Sequence, residues 1–148
     1  GAGNQSCAIA RCSIQHGGIS FCWKCPAYPC PRYDGSDDGD SFVPHRSRQQ
    51  DIVQVLEMGL DAYLTQLEEK HAILEVLLSS YNDGRRKTLF HTAVYLLPLE
   101  DPRMILAELS SLPEMASMQD RARAAAERLQ EAANRRGISL KKGKKGSK

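Results

Sequence analysis

No run of eighteen apolar residues occurs in the 148-residue chain, so nothing in it reads as a membrane-spanning helix. The N-terminus lacks the basic start, apolar stretch and small-residue cleavage site of a secretion signal. No internal repeat is visible, which argues against a solenoid. A serine elbow, a glycine-rich phosphate loop and a His-Glu-x-x-His pattern are all missing, and with them the commonest signatures of hydrolases, nucleotide enzymes and zinc proteases. Cysteine is absent after position 30. What is present is ordinary for one globular domain with a core: 41% hydrophobic and 26% charged residues.

The formal charge of +2 hides an asymmetry. Lys141, Lys142, Lys144, Lys145 and Lys148 are five of the twenty basic residues, leaving fifteen against eighteen acidic ones in residues 1–140. The body is therefore mildly acidic and the basic charge sits in the tail. A fold that grips nucleic acid shows the reverse, so nucleic acid is an unlikely partner.

All five cysteines, Cys7, Cys12, Cys22, Cys25 and Cys30, fall within the first thirty residues. An odd number does not close a disulfide framework, and in a chain without a secretion signal a tight cluster favours a metal over disulfides or free thiols. Cys22-Trp23-Lys24-Cys25 is a Cys-x2-Cys knuckle, whose two intervening residues let the backbone turn both sulfurs toward one ion. Zinc takes four ligands in a tetrahedron and thiolates suit it. The expected ligands are Cys12, Cys22, Cys25 and Cys30, with Cys7 as a fifth candidate. His16 is an alternative for one of them, although a loop histidine is more commonly just exposed. A four-cysteine iron–sulfur cluster ranks second, because the spacing matches neither ferredoxin run.

The remaining organisation follows from breakers and periodicity. Residues 1–33 contain Gly17, Gly18, Pro26, Pro29 and Pro31 and read as loops and tight turns around the metal. Residues 34–47 form an acidic linker. Asp34, Ser36, Asp38 and Gly39 imitate the start of a calcium loop, but its twelfth position is His45, where a bidentate Glu is required. Residues 48–138 are expected to be a helical body of about five helices, which makes the fold class mainly α. The first runs over 48–58 with Ile52, Val55 and Leu56 inward and Gly59 at its end. A second over 61–80, capped by Asp61, carries the stripe Leu60, Leu64, Leu67, His71, Leu74 and Leu78. After the turn Asn82-Asp83-Gly84, a third over 85–97 buries Leu89, Phe90, Ala93, Val94 and Leu97 and stops at Pro98. Asp101-Pro102 predicts a cap and first residue for the fourth, which carries Ile105, Leu106 and Leu109. Pro113 opens the fifth, with Met115, Met118, Ala122, Ala125, Leu129 and Ala132 on one face and Gly137 as its C-terminal cap. Residues 139–148 form a lysine-rich tail expected to be disordered.

The stretch Cys7-Ala-Ile-Ala-Arg-Cys12, followed by Phe21-Cys22-Trp-Lys-Cys25-Pro-Ala-Tyr28-Pro29-Cys30, resembles an uncharacterised prokaryotic family of cysteine-rich proteins known only as a domain of unknown function. Its pattern is Cys-x4-Cys, a spacer, Cys-x2-Cys and a Tyr/Phe-Pro-Cys ending. Tyr81-Asn-Asp-Gly84-Arg-Arg-Lys87 and Ala93-Val-Tyr-Leu-Leu97 also look like a helix of some members, so the resemblance covers about residues 7–110. Members begin with further cysteines, whereas this chain opens at Gly1-Ala2-Gly3, as if the N-terminal part of the pattern were missing and Cys7 had lost its partners. The resemblance implies metal binding and a cytoplasmic setting, and no activity or substrate.

Three functions compete. A zinc-stabilised binding or scaffold protein with a protein partner is the leading expectation, without catalysis. A redox or metal-dependent enzyme would need an open ligand position, which four thiolates close. It would also need a base, for which His45, His71 and His91 are the candidates. Nucleic-acid binding through the cysteine segment and lysine tail comes third.

Overall fold

A computed structural model describes residues 8–34, 46–111 and 117–141. Among these the chain is mainly helical, with six α-helices and no strand. Cys7, most of the acidic linker with His45, the start of the expected fifth helix at Pro113 and Met115, and the lysines after Lys141 lie outside the described residues.

The cysteine segment is not all loop. It begins with α1, Ala8–Gln15, a helix where turns are expected. Every glycine and proline of the segment's described part lies after His16, so nothing in Ala8-Ile-Ala-Arg-Cys-Ser-Ile-Gln breaks a helix. Short 3-10 turns follow at Cys22–Lys24 and Pro31–Tyr33.

The body holds the five expected helices: α2 (Arg48–Met58), α3 (Leu60–Ser80), α4 (Lys87–Leu96), α5 (Glu100–Ser111) and α6 (Met118–Arg135). A single residue, Gly59, separates α2 from α3 with φ 88°. That left-handed value disfavours any side chain, even though a Cβ added at this position would meet nothing within 4 Å. Gly59 thus serves both helices, and Asp61 sits inside the first turn of α3 rather than capping it. Gln66 of α3 donates to Gln54 of α2 at 3.1 Å across this reversal.

The buried face of α3 is displaced from the expected stripe. Ile73, Leu77 and the following Tyr81 are buried, whereas Leu64 and His71 are exposed and Leu74 and Leu78 only flank the core. The stripe is offset by one residue, about 100° of helix rotation. Both stripes have helical spacing; α4, α5 and α6, which all touch α3, choose between them. On α2 the same holds: Val55 is buried, Ile52 half-buried and Leu56 exposed.

α4 buries Phe90, Ala93 and Val94, followed by Leu97, whose extended backbone suits the residue before Pro98. α5 starts one residue before the expected cap. Asp101 is buried and makes a bidentate pair with Arg136, at 2.9 and 3.1 Å, which ties the start of α5 to the end of α6. A second bidentate pair, Arg103 to Glu69 at 2.6 and 2.7 Å, joins α5 to α3.

α6 is capped by Ser117, which accepts from the Asp120 amide at 3.1 Å. Its buried positions Ala122, Ala125, Leu129, Ala132 and Ala133 are mostly alanine, which permits close approach to α4 and α5; Met118 is exposed. The helix ends as expected at Gly137, φ 67°. Gly137 donates to Asn134 at 3.1 Å and Ile138 to Ala133 at 2.8 Å, the paired bonds of a Schellman motif. Order continues past the expected boundary at 138: Leu140 is buried in the core, and Arg46 donates to the Lys141 carbonyl at 3.1 Å.

Candidate metal centre

The cysteine segment folds back on itself around its thiols. Cys12 lies on α1, and His16 follows one turn later, its amide bonded to the Cys12 carbonyl at 3.1 Å. Gly17 and Gly18, with φ 84° and 77°, then reverse the chain. Gly18 donates to the Ser13 carbonyl at 2.9 Å and the Ser13 hydroxyl donates to the Ile19 carbonyl at 2.5 Å, which pins the returning chain against the helix. The knuckle closes through Cys25 N–H to Cys22 carbonyl at 2.9 Å, and Phe21 stacks on Trp23 with ring centres 4.3 Å apart. Tyr28 N–H bonds the Cys25 carbonyl and Tyr33 N–H the Cys30 carbonyl, both at 3.0 Å, so the last two cysteines are each anchored to a turn. The Tyr28–Pro29 peptide is cis.

Cys12, Cys22, Cys25 and Cys30 all line one cavity of about 30 Å³, together with His16 and Tyr33. A cavity of this size takes a single ion or one to two waters, not an organic ligand. The four cysteines are half-buried and unbridged. The donor set therefore fits a thiophilic metal by chemistry and by convergence. The fit is not complete in geometry: among the described residues, no three His, Cys, Asp or Glu side chains stand close enough around one point to hold an ion as placed. The pocket gathers the donors without closing them.

Two tyrosines belong to this cavity and were not anticipated. Tyr33 is buried and packs edge-on to Tyr28 with ring centres 5.6 Å apart. Burial, then the neighbouring sulfur of Cys22, drives the Tyr33 pKa up, and burial followed by Cys22 and Cys30 does the same for Tyr28. Both phenols thus stay protonated, and Tyr33 can donate to a thiolate at Cys22. The Tyr-Pro-Cys sequence itself was the only hint that an aromatic would stand beside the sulfurs.

The other histidines are elsewhere. His71 is exposed on α3 with Nδ1 3.9 Å from Glu75. His91 is half-buried on α4, its Nε2 buried with no hydrogen-bond partner among the described residues. Neither lines the cysteine cavity. Arg86, at the start of α4, pairs with Asp83. A second cavity, about 290 Å³, lies in the body beside Asp51, Gln54, Gln66, Lys70 and Tyr95. Lys70 there donates to the Tyr95 and Leu97 carbonyls at 3.1 and 2.7 Å, which satisfies orphan acceptors at the end of α4.

No helix among the described residues is long and apolar enough to cross a membrane. Compared with models of protein families, with curated proteins and with solved structures, the chain matches none.

Proposed function

We propose that residues 8–34 bind one zinc ion through cysteine thiolates and that the chain is a metal-stabilised binding or scaffold protein, without catalysis of its own. The observation that carries this reading is the convergence of four unbridged cysteines on one ion-sized cavity. Zinc suits it better than an iron–sulfur cluster, because about 30 Å³ accommodates one ion more readily than several metals with bridging sulfides. The binding role, with a protein as partner, rests on the exclusion of open coordination: zinc enclosed by four protein ligands has no position for a substrate. Reduced thiols of this kind persist in a cytoplasmic setting. The family resemblance in the cysteine spacing points the same way.

The test is elemental analysis with an absorption spectrum on protein purified without added metal. One zinc per chain and no visible band is the expected result. Stoichiometric iron with a visible band replaces zinc by a cluster, and a metal-free protein that binds no added zinc overturns the reading.

A further inference from the structure

The cavity in the helical body, about 290 Å³, is large enough for an organic guest. Residues of α2 and α3 line it together with the corner at 95–100, where α4 passes into α5, and with Ile138 after α6. At about 30 Å³ of liquid per water it has room for about ten waters or one molecule of amino-acid size, the low end of ligand pockets.

Three charged side chains line it: Asp51, Lys70 and Glu100. Lys70 gives two ammonium protons to the Tyr95 and Leu97 carbonyls rather than to a carboxylate, which leaves it one further donor. Asp51 accepts from the Ser47 hydroxyl at 3.1 Å, and the two oxygens of a carboxylate offer about four acceptor sites between them. Glu100 accepts at 3.1 Å from Arg136, a residue that does not line the cavity, so its charge is offset from outside. One carboxylate and one ammonium remain to balance a guest. Beside them Gln66 donates to Gln54 at 3.1 Å. Whichever way the two amides are turned, the pair keeps one donor group and one acceptor oxygen for other partners. Pro98, Leu99 and Ile138 add an apolar side to the same space.

The sign of the lining charges selects among guests. An anion meets two carboxylates, and a cation meets the Lys70 ammonium. An apolar molecule strips water from both charges and returns no hydrogen bond. A molecule that carries both signs meets each charge with its opposite.

We propose that this cavity binds a small zwitterion of the amino-acid class, with its ammonium on Asp51, its carboxylate on Lys70 and the glutamine pair, and a short aliphatic chain against Pro98, Leu99 and Ile138. The site is separate from the cysteine cavity and depends on no metal, so it stands or falls apart from the zinc reading.

The test titrates the full chain with leucine, with isoamylamine, which lacks the carboxylate, and with isocaproate, which lacks the ammonium. Amide NMR shifts report binding and its place. Leucine should bind saturably with a Kd of about 1 mM or tighter, with shifts clustered at 50–54, 66–70 and 95–100. Each single-charged analogue should bind at least about 10-fold more weakly, as one charge-assisted hydrogen bond is lost. Asp51→Asn, which keeps the shape of the side chain, should weaken leucine by a similar factor. Gln54→Leu should weaken it less, and it tests the same cavity without touching a charge should Asp51→Asn fail to fold by circular dichroism. The absence of saturable leucine binding leaves the cavity to water and overturns the proposal. Equal binding of either analogue, or leucine affinity unchanged in the folded variants, overturns it as well.

Discussion

The cysteine segment and the helical body are held together by different means. Of the described residues 8–34 only Tyr33 is buried, and the pocket of the segment is a gathering of sulfurs. The body, from Ile73 to Leu140, buries a continuous cluster in which Phe90, Ala93, Leu97 and Leu129 are wholly enclosed. Burying a large apolar side chain contributes about 1.5–3 kcal/mol, and the body does so many times over. One buried tyrosine does not offset the conformational entropy of ordering a segment of this length, at about 1–2 kcal/mol per residue. On the proposed reading the segment draws part of its stability from a bound ion. Stability in the body is thus distributed, whereas on the proposed reading that of the segment is concentrated at a point, and the two should then fail differently.

The largest effect should come from Cys25→Ser. Cys25 lies in the knuckle, and on the proposed reading its loss leaves an incomplete shell. Metal should be released and amide protection lost across residues 8–34, while far-ultraviolet helicity of the body stays mostly intact; a collapse of body helicity would show that the two regions fold as one. The reciprocal variant is Leu77→Ala, expected to cost about 2–5 kcal/mol in chemical denaturation, with metal content unchanged. A loss of metal from this variant would break the distinction from the other side.

Smaller effects sharpen the picture of the body. Arg136→Ala leaves the buried Asp101 carboxylate without its bidentate partner and should destabilise by about 1–3 kcal/mol, with the change confined to the α5–α6 end of the bundle by hydrogen exchange. His91 supplies the smallest effect and a pH signature. Burial, then the nearby Lys87 charge, holds its pKa below the ordinary 6.5. Its neutral form therefore suits the fold: the contribution is complete above the unfolded value, and is lost as pH falls through about 6.5 and then through the lowered folded value. Unfolding measured from pH 8 to pH 5 should show that decline, and His91→Gln should flatten it. An unchanged slope in the variant would assign the decline to other groups.

Much of this division is legible in the residues alone. Cysteines confined to the first thirty positions mark the segment, and helical periodicity marks the body. Helix α1 is the exception: the prolines and glycines farther along suggest turns throughout the segment, although none lies between Ala8 and His16. For the same reason His16 looks like a loop residue. It lies four positions after Cys12, a helical spacing that brings the pair together and is itself a signal.

Helix ends were determined by the sequence itself, because caps are satisfied within four or five residues. Gly59 and Gly137 adopt the left-handed backbone that their lack of a side chain permits, and Pro98 stops α4 by the restriction it places on Leu97. Faces and long-range partners were decided only by the tertiary structure. α3 carries two apolar stripes of similar spacing, and the packing of α4, α5 and α6 selects Ile73 and Leu77 over Leu64 and His71. Asp101 suits a helix cap by its place before Pro102, yet Arg136, thirty-five residues away, claims both of its oxygens. The cysteine count put sulfur donors in one short segment, while their arrival around one cavity is a matter of how the segment folds back. Local backbone chemistry is written in neighbouring residues; a choice between equivalent faces is made only when distant parts of the chain arrive.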